Sequence, residues 1–248
     1  MISVIICSID SRKFQAVEAM YAAAMGPEPW ELIGVHDAKS AAEGYQRGFD
    51  QSHGDIVVFS HDDIEILSPD FPRRLTGHLA VYDIIGVAGT SRAVSACWSR
   101  IGPPYLLGQM VHPGPDGTFN VDIFGAPARV SPAQTVDGVF VAVRRAVMSQ
   151  IHFDAVTFDG FHLWDQDFCL SACQAGLKVG VANDINLLHH STGKFDDVWR
   201  HYGVLFEKKW RDWLARMRPG YLPLAIGWDC VRVDSLAAVR QVLTPPHW

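Results

Sequence analysis

The sequence predicts an α/β fold with a mostly parallel central sheet flanked by helices. Three observations predict it. Short β-branched runs alternate with segments of helical periodicity through residues 1–90. The first three of these runs each end in a polar turn, as strands do when they feed crossover helices. The chain has 248 residues, 48% hydrophobic and 19% charged, which is enough apolar surface for a substantial core.

Each element has a local reason. Residues 2–7 are a β-branched run that ends at Ser8-Ile9-Asp10-Ser11, and residues 12–25 carry Phe14, Val17, Met20, Tyr21 and Ala24 at helical spacing. Gly26-Pro27-Glu28-Pro29 stops that helix, and residues 30–35 form a second strand ending at His36-Asp37. Ser40 with Glu43 makes a capping box that opens a helix to about residue 49. Residues 55–60 are a third strand, running into His61-Asp62-Asp63. Ligands collect at the carboxyl ends of parallel strands, so Ser8-Ile9-Asp10, His36-Asp37 and His61-Asp62-Asp63 are expected side by side. A helix over 69–80 capped by Ser68 and a buried strand over 84–88 follow. Residues 102–132 are dense in Gly and Pro and predict long loops, with at most short strands around 120–124. A strand resumes at 136–143. Helical periodicity covers 164–175, closed by Gly176, and 179–181 and 185–188 are further strand material. The tail over 195–217 reads as one aromatic-rich helix.

Composition excludes several classes. Lys plus Arg number 21 against 27 Asp plus Glu, a net of −6, so no global basic field is available to hold nucleic acid. The five cysteines (Cys7, Cys97, Cys169, Cys173, Cys230) are scattered without CxxC spacing, as expected of reduced thiols in a cytosolic protein. Asp83 interrupts the best apolar run, 79–88, far short of the ~20 residues that span a bilayer. The start lacks a basic n-region and a small-residue cleavage site. The expected location is cytoplasmic.

Three clusters carry candidate chemistry. His61-Asp62-Asp63 offers hard oxygen ligands at a strand terminus, suited to Mg²⁺ or Mn²⁺, and the imidazole favours Mn²⁺. In residues 158–168 an aromatic loop enters a helix bearing Asp165 and Asp167. One of these caps the helix; the other, desolvated by Phe161, Trp164 and Phe168, gains the raised pKa that a general base needs. His189 and His190 end a strand, where period-two alternation sends them to opposite sides, so one of the pair serves the site.

In ordered combination these features resemble family-2-like glycosyltransferases with the GT-A nucleotide-sugar-binding fold, over residues 1 to about 215. The opening Ile2-Ser-Val-Ile-Ile-Cys-Ser8 is similar to that family's first strand and nucleotide turn. His61-Asp62-Asp63 resembles its metal-binding Asp-x-Asp element in a His-acidic-Asp variant, and residues 137–145 its Asp-Gly-hydrophobic strand. Residues 161–170 resemble the segment carrying the base, and His189-x-Ser191-x-Gly193 its late histidine. With no internal repeat and no linker the sequence reads as one domain, 1–248, with a nucleotide-binding half over about 1–90, an acceptor half over about 91–215 and a C-terminal extension over about 195–248.

Carried across, the resemblance makes Asp63, His189 and Asp62 metal ligands. Ser8, Ile9, Asp10, Asp37, His61, Asp62 and Lys194 become contacts to the nucleotide. It makes Asp165 the base, with Trp164 standing where the family commonly has Glu, and that departure keeps Asp167 as a rival. The implied activity is metal-dependent, inverting transfer from a nucleotide-diphosphate sugar, UDP-linked, to a hydroxyl of a glycan, lipid-linked or protein acceptor. Trp98, Tyr105, Asp122 and Phe124 are candidate walls for the sugar. The tail helix is expected to pack on the core with a solvated basic face; peripheral membrane contact through 195–218 is the second reading. The rival functions are a metal-dependent phosphoester hydrolase using His61, Asp62, Asp63, His189 and His190, and a non-catalytic nucleotide- or carbohydrate-binding module.

Overall fold

The computed structural model describes residues 1–225 and 227–243; the end of the expected C-terminal extension, 244–248, lies outside the described residues. In chain order the elements are β1 (Ile2–Cys7), α1 (Ser11–Met25), β2 (Trp30–Val35), α2 (Ala41–Gln51), β3 (Ile56–Ser60), β4 (Ile64–Ile66) and α3 (Phe71–Leu79). Then come β5 (Ile84–Gly86), β6 (Ala88–Thr90), β7 (Leu106–Pro113), β8 (Phe119–Gly125), β9 (Val130–Ala133), β10 (Thr135–Val136) and β11 (Phe140–Arg144). The last are α4 (Trp164–Gln174), β12 (Val179–Ala182), β13 (Leu187–His189), α5 (Asp197–Lys209), α6 (Arg211–Met217), β14 (Asp229–Val233) and α7 (Leu236–Leu243).

The central sheet has the order β2-β1-β3-β11-β5-β12-β9. Its first three strands are parallel, as is the β5–β12 pair, whereas β11 runs antiparallel to both β3 and β5, and β9 antiparallel to β12. The sheet is therefore more mixed than alternation of strands and helices predicts. No helix separates β10 from β11, so β11 re-enters the sheet without a crossover. Period-two alternation divides the core cleanly. Ile5, Phe59 and Val141 face a layer with Tyr45 of α2 and Phe168 of α4, while Val4, Ile6 and Val58 face Tyr21 of α1 and Phe71 and Leu75 of α3. Full burial of each such side chain contributes about 1.5–3 kcal/mol.

A second sheet, β10-β6-β7-β13-β4 with β8 and β14 beyond β7, stands at the carboxyl ends of the first. The run 84–88 splits to join both sheets, β5 in the first and β6 in the second. The expected strand 136–143 is likewise broken at 137–139, where Asp137 Oδ1 accepts the Val139 N–H at 3.0 Å and closes a turn. Residues 102–132 hold much more strand than Gly and Pro density predicts. Those residues mark a bulge at Gly108 (φ 103°) and the Pro113–Gly117 turn, leaving β7 and β8 as a hairpin between them. Ser68 does not cap α3: it donates to the Asp184 carbonyl at 2.9 Å and accepts from Asn186 N at 2.7 Å, and α3 starts after Asp70. Ser40 caps α2 as expected, accepting from Glu43 N at 3.1 Å.

The tail is two helices, not one, broken at Trp210. Tyr202, Phe206, Trp210 and Leu214 are buried in the core, which is the packing role its stripe predicts, and Lys208, Arg211, Arg216 and Arg218 are exposed. Beyond it β14 pairs with β8, and α7 buries Val239 and Leu243 against Val111, Val121 and Leu188. All five cysteines are free thiols. Among the described residues no helix is long and apolar enough to cross a membrane.

Candidate active site

The two sheets meet at a cleft of about 760 Å³. Its floor is the turn after β3. In the β4–β13 register His189 lies opposite Ile64, and His190 N donates to the Asp63 carbonyl at 2.9 Å, so Asp63 and His189 become neighbours despite their separation in sequence. His189 Nε2 lies 3.3 Å from Asp63 Oδ1 and 3.4 Å from His61 Nδ1, and one ligand atom from each of the three falls within 4.8 Å of the others. Two imidazoles and a carboxylate are a donor set that fits a divalent first-row ion such as Mn²⁺ better than the all-oxygen shell Mg²⁺ prefers. Burial opposes charge on Asp63, but hydrogen bonds from His189 and Ser191 and the nearby His61 hold its carboxyl well below the usual range. Desolvation in the cleft, then the adjacent His189, lower the pKa of His61 and keep it in the neutral form that ligates.

Asp62, expected as a ligand, lines the cleft but falls outside that group of three. Its Oδ2 accepts the Ser8 hydroxyl at 2.5 Å, which ties the β1 turn to the β3 turn. His61 takes its place beside Asp63. Lys13, on the first turn of α1, sits 3.8 Å from Asp62 Oδ1 and 3.7 Å from Asp63 Oδ2. Ile9 is 91% exposed, and Asp10 caps α1 by accepting from Arg12 N and Lys13 N, so neither side chain lines the cleft. Asp37 is also outside it, paired with Arg47 at 2.8 Å. Lys194 lines the cleft with Ser191, Thr192 and Gly193, whereas His190 turns to Glu65 at 2.7 Å.

The opposite wall is the first turn of α4. Asp165 lines the cleft, 9% exposed, and its Oδ2 accepts the Gly138 N–H at 2.7 Å. Burial first, and the Asp137 carboxylate second, push its pKa up to about 7. Asp167, two residues on, points into the core. It accepts from Trp210 Nε1 at 2.7 Å and from Lys209 at 2.8 Å, and does not line the cleft. Neither carboxylate caps α4, whose N-cap position is Leu163 in the left-handed region (φ 64°). The turn at 137–139 joins the two walls, because His61 N donates to Val139 O at 3.1 Å while Gly138 N holds Asp165.

A family model described as "Glycosyltransferase like family" matches residues 3–210. The chain belongs to that family. Its architecture is the GT-A fold. Solved structures of similar fold include neighbours of low identity. One is GalNAc-T7, solved with UDP, GalNAc and Mn²⁺: 10% identical, TM-score 0.53, covering 91% of this chain and 52% of that one. Another is the mannosyltransferase PcManGT from Pyrobaculum calidifontis, solved with GDP-Man and Mn²⁺: 12% identical, TM-score 0.50, covering 85% and 64%. At such identity the likeness shows the fold alone, and the glycosyltransferase-like chain described here spans about half to two thirds of their length. No curated protein matches it in sequence.

Sequence reasoning missed Lys13 and His112. Lys13 is hidden in a helix otherwise legible only by its apolar face. His112 lies on a strand expected to be loop, where its Nδ1 donates to the carbonyls of His189 and Ser191, each at 3.1 Å. Of the candidate wall residues, Trp98, Asp122 and Phe124 line the cleft, while Tyr105 packs with Tyr221 and Arg92 outside it.

Proposed function

We propose that this chain transfers a sugar, with inversion, from a UDP-linked donor to a hydroxyl of a glycan, lipid-linked or protein acceptor. His61, Asp63 and His189 hold Mn²⁺ or Mg²⁺, and Asp165 is the base. The observation that carries the reading is the shared turn: residues 137–139 hold His61 by one backbone hydrogen bond and Asp165 by another, across one cleft. A bound divalent ion supplies neutralisation of the charge that develops on the leaving diphosphate. The chain supplies the rest. Lys13 and Lys194 line the cleft, and Lys13 lies 3.7 Å from Asp63 Oδ2. Asp165, with one oxygen fixed by Gly138, takes the acceptor proton. A base with pKa about 7 is half ionised near neutrality and still a strong enough acceptor to pull a hydroxyl proton. One base facing one leaving group implies inversion.

Among the described residues His61, Asp63 and His189 form the one group of three placed to hold a metal, which disfavours the two-metal phosphoester hydrolase. A non-catalytic module gives no reason for a buried, raised-pKa Asp165 facing the cleft. The test is calorimetric titration with UDP and GDP, in Mn²⁺ and then in EDTA. Binding of one nucleotide that EDTA abolishes is the expected result. No binding under either condition overturns the proposal.

A further inference from the structure

The family match ends at residue 210, yet the cleft does not. Strand β14 pairs with β8 in the register Asp229↔Ile123 and Cys230↔Asp122, and this seats Trp228 on the cleft wall. Its indole is 40% exposed, with Nε1 donating to Asp122 Oδ1 at 2.8 Å. Its ring meets Phe124 edge-on at 4.9 Å, Phe124 meets Trp98 edge-on at 5.2 Å, and Trp98 Nε1 donates to Asp137 Oδ2 at 3.0 Å. The result is a row of three aromatic side chains whose two indoles are each locked by a carboxylate.

We propose that this row is a stacking wall for a neutral pyranose, and that the segment following residue 210 thereby determines which sugar the cleft accepts. The inference rests on the transferase reading for its biological use, but its chemistry stands separately. A pyranose has an apolar C–H face edged by hydroxyl donors. The negative face of an aromatic ring attracts the first, and carboxylates accept from the second. Asp122 and Asp137 sit at the two ends of the row, and each lines the cleft. The same carboxylates repel an acidic sugar. Lys13 and Lys194 are the lysines that line the cleft, and Lys13 already lies within 3.8 Å of both Asp62 and Asp63. An indole left exposed to water and fixed in orientation is a binding surface with its ordering cost already met.

The test uses the full chain, its Trp228→Ala form and its Trp228→Tyr form. Saturation-transfer NMR follows the methyl glycosides of glucose, galactose, mannose and glucuronic acid. Calorimetry in Mn²⁺ follows UDP, UDP-glucose, UDP-galactose and UDP-N-acetylglucosamine. Binding of at least one neutral sugar that weakens about tenfold in Trp228→Ala and largely returns in Trp228→Tyr supports the wall. Where the lost affinity is the advantage of a UDP-sugar over UDP, the wall receives the donor sugar. Where it is glycoside binding, with UDP and UDP-sugars unchanged, it receives the acceptor. The proposal is overturned if neutral sugars bind the wild type and Trp228→Ala equally, if none binds the wild type, or if the glucuronide binds best. Trp228→Tyr keeps an aromatic ring on the strap and separates lost stacking from a lost strand. UDP that fails to bind while a glycoside still depends on Trp228 sinks the transferase reading alone; UDP binding with no Trp228 dependence sinks the wall alone.

Discussion

Gly138 donates its backbone N–H to Asp165 Oδ2 at 2.7 Å, fixing that oxygen of the carboxylate on the cleft wall. If that carboxylate is the base, Asp165→Asn keeps an acceptor for Gly138 and removes only the proton sink. The expected outcome is unchanged nucleotide affinity by calorimetry with release of UDP from its sugar conjugate slowed by at least about 10²-fold. Full turnover by the variant refutes the role.

The same carboxyl sets a pH dependence. With its pKa near 7 against an ordinary 3.8, native Asp165 keeps its proton over a range where the unfolded chain has lost it. Its contribution to stability is fully present below the unfolded pKa and is lost as pH rises through about 7. Turnover moves the other way, rising through the same value as the base ionises. Asp165→Asn escapes the stability loss, so its advantage in denaturant melts over the wild type should grow between pH 5 and pH 8 by about 2–4 kcal/mol. A pH-independent difference would mean that Asp165 does not titrate there.

At the metal-type cluster the prediction discriminates between neighbours. Asp63→Ala and His61→Ala should each abolish Mn²⁺-dependent UDP binding, because each removes one of three donors. Asp62→Ala removes the Ser8 hydrogen bond instead, and should weaken UDP binding while leaving its Mn²⁺ dependence intact. Titration of Mn²⁺ followed by its electron paramagnetic resonance signal reads the difference; a loss of Mn²⁺ in Asp62→Ala would restore that residue to the ligand set.

Asp167 is expected to matter for folding. It is 2% exposed and held by Lys209 and Trp210, so Lys209→Met leaves a buried carboxylate with one partner. Breaking a buried pair from one side costs about 3–5 kcal/mol. Lys209 is 32% exposed, which puts the expected loss in urea unfolding at the lower end of that range. If Asp167→Asn slows turnover while melting like the wild type, Asp167 and not Asp165 is the base.

Much of this was legible in the sequence, and the reason differs by element. Strand β1, helix α2 and strand β3 follow from β-branched runs and from the Ser40–Glu43 cap, which are local signals. The two-sheet split at residue 87 and the break at 137–139 are not local. They arise because the second sheet captures β6 and β10, a contact between distant segments. That Asp63 and Asp165 line one cleft was legible because the resemblance aligns ordered motifs. That His61 and not Asp62 faces His189 depends on which way a three-residue turn winds, and Ser8, in the turn after β1, holds Asp62 by a hydrogen bond from a distant part of the chain. Trp228 carried no signal, since it precedes a short, exposed strand outside the run of motifs.

Gly138→Ala separates the position of the base from its charge. A Cβ there would lie 3.0 Å from Trp164 Cζ2 and 3.2 Å from Asp165 Cβ and Cγ, closer than such contacts normally come. Trp164 is buried among Tyr45, Phe153 and their neighbours, so Asp165 is the side that yields. A shift of a few tenths of an ångström keeps the N–H donor, the burial and the nearby Asp137. The midpoint of the pH–rate profile should therefore stay near 7. The plateau should fall about tenfold or more, since misplacement by about 1 Å costs on the order of 10²-fold. UDP affinity should hold, because the atoms nearest the new methyl group belong to Trp164 and Asp165 and not to His61, Asp63 or His189. A moved midpoint with an unchanged plateau would show that Gly138 tunes the carboxyl electrostatically and does not aim it.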